Sequence, residues 1–367
     1  MKRIFIVTSN RADYGLMSNL INLLKKDKTI ILKLIVTGSH LEKKYGYTIN
    51  EIITDNINPD HIIKIPLKAI NPIKNIESIT NYMKDFSKFL HKQKPDLLVL
   101  LGDRYEIFSI AVSSFIHKIP IMHLYGGEST LGVFDDFFRY SISKTAKYHL
   151  VSNKLYAKKL ESLGENKKNI FTVGSLGCEN IKLMDFEQPI KLEKKFNFKF
   201  LKKNILVSFH PETLSEDYGL KGLNILLASL STLKDTMIIF TGTNPDIYNQ
   251  KILKQIKKFV SNNQNSKLIY SMGKKGYLSC LKHCNLIIGN SSSGIIEAPS
   301  LNTPSINLGN RQEGRIFAKS VINVKFNKRL IIKKINKFLY NKKRKKVINP
   351  YYKKNTTNEI IRIIKEI

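Results

Sequence analysis

The chain has 367 residues, with 61 Lys and Arg against 29 Asp and Glu for a formal charge of +32, and only three cysteines. That length carries two domains with sizeable cores. Three cysteines exclude a disulfide framework and fit a reducing cytoplasm, and no apolar run reaches the roughly 18 residues of a membrane span.

The positive excess admits a nucleic-acid or anionic-membrane partner. Lys, Ile and Asn abound everywhere, however, as codon bias in an A/T-rich genome would produce. The excess peaks from Lys325 to Lys346, which includes Asn341-Lys342-Lys343-Arg344-Lys345-Lys346, without the aromatic interleaving of a base-stacking surface. A solvated basic face near an anionic substrate is the expectation, with no nucleic-acid partner. Cys280 and Cys284 share a helix face beside His283; a zinc site needs more ligands, so they read as packing residues.

Met1 to Thr8 turns polar too soon for a signal peptide, and Ile4 to Thr8 reads as a first strand. The turn Ser9-Asn10-Arg11-Ala12-Asp13-Tyr14-Gly15 leads to a helix with Leu16, Leu20, Leu23 and Leu24 at apolar spacing. It lacks the glycine-rich dinucleotide fingerprint, so a nicotinamide cofactor is not supported. Strands follow at Ile30 to Val36, Ile62 to Ile65, Leu97 to Leu101 and Pro120 to Leu124, with a long helix over Asn75 to Gln93. Gly102-Asp103-Arg104-Tyr105-Glu106 opens a helix to about His117, and Tyr125-Gly126-Gly127-Glu128 ends the fifth strand. Asp135 and Asp136 open a helix that contains Arg139, and His149 to Ser152 and Ile170 to Val173 complete the first sheet. The turn Gly174-Ser175-Leu176-Gly177 and the polar segment Asp185 to Lys203 lead to a second run of strands. These are Asn204 to Phe209, Met237 to Phe240, Lys267 to Ile269, Leu286 to Ile288 and Ser305 to Leu308.

Alternating strands and helices argue parallel, doubly wound sheets. The expected fold is α/β, two Rossmann-like domains facing a cleft. Their boundaries are 1–175 and 176–350, with a C-terminal helix in 351–367 crossing back.

The stretch Gly289-Asn290-Ser291-Ser292-Ser293-Gly294 breaks an apolar strand, and a helix is expected from Ile295. Free N–H groups and the positive end of a helix suit a phosphate there, although Ser291 as a simple N-cap is the plainer reading. Glu297, one turn in, can accept hydrogen bonds from two ribose hydroxyls. Arg311 and Arg315 follow the next strand, where arginine suits a diphosphate. His210 and the loop Thr241-Gly242-Thr243-Asn244-Pro245 stand at neighbouring strand ends. Together they are expected to form a nucleotide-diphosphate site, although a lone His such as His210 is more often structural. Asp103, Glu128, Asp135 and Asp136 gather on the C-terminal edge of the first sheet, where they suit acid–base chemistry. An N-cap role for Asp103, or a divalent metal held by the carboxylates, are the alternatives.

In order and spacing these motifs, with Asn349-Pro350-Tyr351, resemble the UDP-N-acetylglucosamine 2-epimerases almost end to end. The resemblance is strongest to the hydrolysing branch that makes N-acetylmannosamine for sialic acid. It implies a glycosyltransferase-B-like pair of Rossmann-like domains, a UDP-N-acetylglucosamine substrate, no cofactor or resident metal, and the homodimer common in that family. Ser291 and Ser292 would bind phosphate, with Ser293 and Gly294 beside them. Glu297 would hold the ribose, and Arg311, Arg11 and His210 the diphosphate, with Asn244 near the nucleotide. Asp103, Glu128, Asp135 and Asp136 would be the acid–base groups, Arg104 would lie beside the sugar, and Arg139 would contact the substrate. Two residues depart from the family pattern. Tyr125 stands where many relatives carry Glu or His, and Arg139-Tyr140 stands where Arg-His is usual. These leave open a nucleotide-linked 2,4-diacetamido-trideoxy sugar of the legionaminic acid route. A non-hydrolysing epimerase and a glycosyltransferase of the same fold are the other readings.

Overall fold

The computed structural model of the protein describes residues 1–65, 71–131, 133–243, 248–340 and 346–367. Asn244, Pro245 and residues 341–345 of the basic run lie outside them. The described chain divides into two compact units. One comprises Met1–Glu128, Phe134–Asn180 and Tyr351–Ile367; the other comprises Ser129–Val133 and Ile181–Pro350.

In the first unit, short runs such as Leu97–Leu101 are apolar throughout because both faces are covered. Strands β1 (Lys2–Thr8), β2 (Ile30–Thr37), β3 (His61–Ile63), β4 (Leu97–Leu101), β5 (Ile121–Leu124), β6 (Tyr148–Val151) and β7 (Ile170–Thr172) form one parallel sheet in the order β3-β2-β1-β4-β5-β6-β7. Alternate residues feed opposite cores, as strand periodicity requires. Ile4 and Ile6 meet the helices Arg11–Lys26 and Thr356–Glu366 on one face. Phe5 and Val7 meet Phe86 of Pro72–Lys92, Ile107 of Tyr105–Ile116 and Ile142 of Asp135–Thr145 on the other.

The second unit repeats the plan. Strands β8 (Lys203–Ser208), β9 (Thr236–Thr241), β10 (Ser266–Ile269), β11 (Leu286–Gly289), β12 (Ser305–Leu308) and β13 (Val321–Val324) are parallel in the order β10-β9-β8-β11-β12-β13. Ile205 and Val207 pack under the helices Leu220–Leu230, Asn249–Ser261 and Lys328–Leu339. Leu206 faces the opposite core with Cys280, Cys284 and Leu281. All three cysteines are buried and none forms a disulfide. The two doubly wound α/β domains are therefore present as expected.

Three local expectations need correction. Strand β13 is absent from the sequence reading, because Asn323 is exposed and only the two end valines are buried. The segment expected to be merely polar between Asp185 and Lys203 holds a helix, Pro189–Phe196, anchored by Leu192. The helix expected from Ile295 is a single turn, Ser293–Ile296, succeeded by a 3-10 turn over Ala298–Leu301. Among the described residues no helix is long and apolar enough to cross a membrane.

Candidate active site

In both sheets the strand order reverses at one place, between β1 and β4 and between β8 and β11. Open parallel sheets bind ligands outside the C-terminal ends of the strands at such a reversal. Arg11 follows β1, Asp103 and Arg104 follow β4, His210 follows β8 and Ser291–Ser293 follow β11, whereas Asp135, Asp136 and Arg139 stand on the helix Asp135–Thr145.

After β1, Asn10 caps the helix Arg11–Lys26, its side-chain oxygen accepting from Ala12 N at 2.8 Å and Asp13 N at 3.0 Å. Asp13 is buried and accepts from Ser9 N at 3.2 Å and Ser9 Oγ at 2.9 Å, so it closes the turn that carries Arg11. Burial pushes its carboxyl up to about 6, against the Ser9 hydrogen bonds and the nearby Arg104 charge.

After β4, the chain turns at Gly102 with φ +89°. The N-cap position falls on Arg104, so Asp103 does not cap this helix. Arg104 Nε donates to both oxygens of wholly buried Glu106 at 3.2 and 3.3 Å. Behind the turn stands His123, buried, with Nε2 at 2.7 Å from Gly102 O and Nδ1 at 3.0 Å from Ser143 Oγ. The carbonyl can only accept, so Nε2 carries the proton and Nδ1 accepts from Ser143. Burial lowers this imidazole to about 4, which keeps it neutral.

Arg139 gathers the carboxylates. It is 2% exposed and pairs with Asp103 through Nη2 and with Asp136 at 3.6 Å through Nη1. Nη1 also donates to Glu128 O at 3.0 Å. Glu128 is buried and its Oε1 accepts from Ser152 Oγ at 2.8 Å. Asp135 and Asp136, half-buried, occupy the first turn of Asp135–Thr145, where the helix dipole favours negative charge. The carboxylates of Asp103 and Asp136 are thus paired with one guanidinium, which holds Glu128 by its backbone carbonyl, and Asp135 adjoins Asp136 in the chain. Arg139, expected as a substrate contact, lies beneath this group. Among the described residues no three His, Cys, Asp or Glu side chains converge as a metal-binding group. Tyr125 has φ +65° and its hydroxyl meets Ser175 Oγ at 3.2 Å, while Tyr140 OH donates to Gly127 O at 3.4 Å.

In the second unit, Asn290 follows β11. Its Oδ1 accepts from His210 N at 2.7 Å and its Nδ2 donates to His210 O at 2.9 Å. Its own carbonyl accepts from Arg311 Nη1 at 3.1 Å and Gln312 Nε2 at 2.8 Å. Glu212 Oε1 lies 3.3 Å from Asn290 Nδ2, and burial raises the Glu212 carboxyl. Ser291 and Ser292 are half-buried in the bend after Asn290. The N-cap position falls on Ser292, which makes no side-chain capping bond, so Ser291 is not the cap expected from the sequence; its Oγ is only a distant acceptor for Ser293 N, at 3.4 Å. Ser293 Oγ accepts from Tyr277 OH at 2.7 Å. At Gly294 a Cβ would stand 2.6 Å from Ser305 Oγ, so the backbone passes close to β12. Glu297 is half-buried just past the single helical turn. Arg315 Nε donates to Ser129 O at 3.1 Å. With only one turn of helix the dipole is small.

Four residues that the sequence reading left without a role emerge from these contacts: Glu106, His123, Ser152 and Asn290. For His123, Ser152 and Asn290 the signal is spatial, since each acts on a residue from another element, whereas Glu106 stands only two residues from Arg104.

The family model described as UDP-N-acetylglucosamine 2-epimerase matches residues 22–365. The chain is 38% identical to "Polysialic acid biosynthesis protein P7" of Escherichia coli, over all of this chain (100%) and 94% of that protein. It is 39% identical to "GDP/UDP-N,N'-diacetylbacillosamine 2-epimerase (hydrolyzing)" of Campylobacter jejuni, over 89% and 85% of the two chains. Its fold matches the Methanocaldococcus jannaschii UDP-GlcNAc 2-epimerase crystallised with UDP-GlcNAc and UDP. That match has a TM-score of 0.83 at 22% identity, with 100% of each chain covered.

Proposed function

Since this chain belongs to the UDP-N-acetylglucosamine 2-epimerase family, we propose that it is a hydrolysing 2-epimerase that converts UDP-N-acetylglucosamine to N-acetylmannosamine and UDP. The observation that carries this reading is the pair of carboxylates, Asp103 and Asp136, organised on buried Arg139, which also holds the backbone carbonyl of Glu128.

A base takes the proton from C2 of the sugar while the C1–O bond to UDP breaks, leaving a 2-acetamidoglucal. Water then adds across the double bond, its oxygen to C1, and a proton returns to C2 from the opposite face. A C2–H is a very weak acid, so stabilising the departing diphosphate must supply much of the acceleration. Asp103, Glu128, Asp135 and Asp136 are the proposed proton-transfer groups, with Arg139 orienting Asp103. Arg11 and Arg104 are the first unit's proposed substrate contacts. In the second unit Ser291, Ser292, Ser293, Gly294, His210, Arg311 and Arg315 are proposed for the diphosphate and Glu297 for the ribose. Asn244, also proposed near the nucleotide, lies outside the described residues. No redox cofactor enters this scheme. The N-acetylmannosamine product and the relative named for polysialic acid biosynthesis favour a place in sialic acid supply.

The second reading, a nucleotide-linked 2,4-diacetamido-trideoxy sugar, is favoured by the Campylobacter jejuni relative and by Tyr125 and Tyr140. Proton NMR in deuterated water separates the two. Free N-acetylmannosamine deuterated at C2, with UDP, is the expected result for the first. An unchanged UDP-N-acetylglucosamine together with turnover of the diacetamido nucleotide sugar would replace it with the second.

A further inference from the structure

Asn290 is 0% exposed and stands one residue beyond β11, the strand between β8 and β12. Its backbone N–H donates to Ser208 O at 3.2 Å. Its carboxamide then grips both backbone groups of His210, as a further rung of the sheet beyond the end of β8. On the other side its carbonyl holds Arg311 and Gln312, which follow β12. One residue therefore ties together three adjacent strand ends. Two of them bear proposed diphosphate contacts, His210 and Arg311, and the third runs straight into Ser291 and Ser292.

We propose that Asn290 is a positioning residue for the nucleotide diphosphate, fixing the His210 backbone and the Arg311 guanidinium about the Ser291–Ser293 bend. The inference rests on the nucleotide-binding reading above and concerns which residue sets its geometry. The carboxamide is suited to the task because it presents an acceptor to His210 N and a donor to both His210 O and Glu212. A carboxylate of the same shape keeps the acceptor and loses the donor. It then faces the His210 carbonyl and the Glu212 carboxylate.

The test compares UDP affinity, by titration calorimetry, with thermal stability in the absence of ligand. Asn290→Asp is expected to weaken UDP by roughly 10- to 100-fold, the effect of disturbing one charge-assisted phosphate contact. Asn290→Ala, which adds no charge, is expected to weaken it also and serves if the first variant does not fold. The control is Asn204→Asp, at the opposite edge of the same sheet. Asn204 is also buried, at 6% exposed, and closes a comparable pair of backbone contacts with Leu201, at 2.7 and 2.8 Å. That variant should lose stability and keep UDP affinity. Relative to wild type, Asn290→Asp should regain affinity as pH falls, as the introduced carboxylate and Glu212 come to share a proton, with Arg311 and Asp217 the other charges that act on Glu212. Asn290→Ala should show no such recovery.

UDP affinity within about 2-fold of wild type in Asn290→Asp and Asn290→Ala would overturn the inference. An equal loss in Asn204→Asp would also overturn it, by showing the effect to be general destabilisation. Failure of the wild type to bind UDP would instead remove the nucleotide reading on which the inference stands.

Discussion

The guanidinium of Arg139 and the carboxylate of Asp103 form an ion pair in which the cation is buried and the anion remains 24% exposed. The acid thus keeps a face toward solvent while its charge is anchored from behind. Breaking a buried pair from the cation side leaves uncompensated carboxylates, so the two partners have different mutational signatures.

Asp103→Asn preserves shape and removes the charge. Turnover should fall by roughly 100-fold or more, as expected for loss of an acid–base group. UDP affinity should remain within a few-fold of wild type by calorimetry. Loss of UDP binding would make Asp103 a structural residue. Arg139→Met should instead cost about 3 kcal/mol or more of stability in chemical denaturation.

Two buried groups set opposing pH dependences. His123 has a folded value of about 4 instead of 6.5, so its contribution is present above pH 6.5 and lost as pH falls toward 4. Asp13 has a folded value of about 6 instead of 3.8, so its contribution is present below pH 3.8 and lost as pH rises through 6. Each shift corresponds to roughly 3 kcal/mol. His123→Gln should therefore flatten the acid side of the stability curve, and Asp13→Asn should gain on wild type between pH 4 and pH 7. Variant curves running parallel to wild type in urea denaturation would contradict both assignments.

Gly289 and Gly164 share a backbone sign but not surroundings. Gly289 has φ +144° and a Cβ there would stand 2.0 Å from Ser208 O, an immovable backbone atom. Gly164 has φ +85° and open space within 4 Å. Gly289→Ala should cost about 3 kcal/mol or more, and Gly164→Ala only about 1 kcal/mol. Equal melting temperatures for the two variants would mean that β11 and β8 can part without penalty.

Much of the fold was legible because strands covered on both faces leave unbroken apolar runs, as at Leu97 to Leu101 and Leu286 to Ile288. Strand β13 left no such mark, since an edge position tolerates exposed Asn323. Helix periodicity could not show that the helix after Ser292 lasts one turn, because Pro299 stands within apolar neighbours that continue the pattern. The gathering of Asp103 and Glu128 at one edge follows from topology alone. Their attachment to Arg139 does not, since it joins two strand ends to a helix whose approach no local pattern fixes. Asn290 was visible only as part of a polar bend, because its contacts reach residues about 80 and 20 positions away in sequence.

The helix Thr356–Glu366 gives Ile360, Ile363 and Ile364 to the same apolar core as Ile4 and Leu20. The first unit is therefore not one continuous segment of chain. During synthesis, which proceeds from the N-terminus, its core stays open until the whole second unit has left the ribosome. Early residues therefore wait with apolar surface uncovered until the helix Thr356–Glu366 has been made. A nascent chain halted before residue 351 would expose that unfinished core to chaperones.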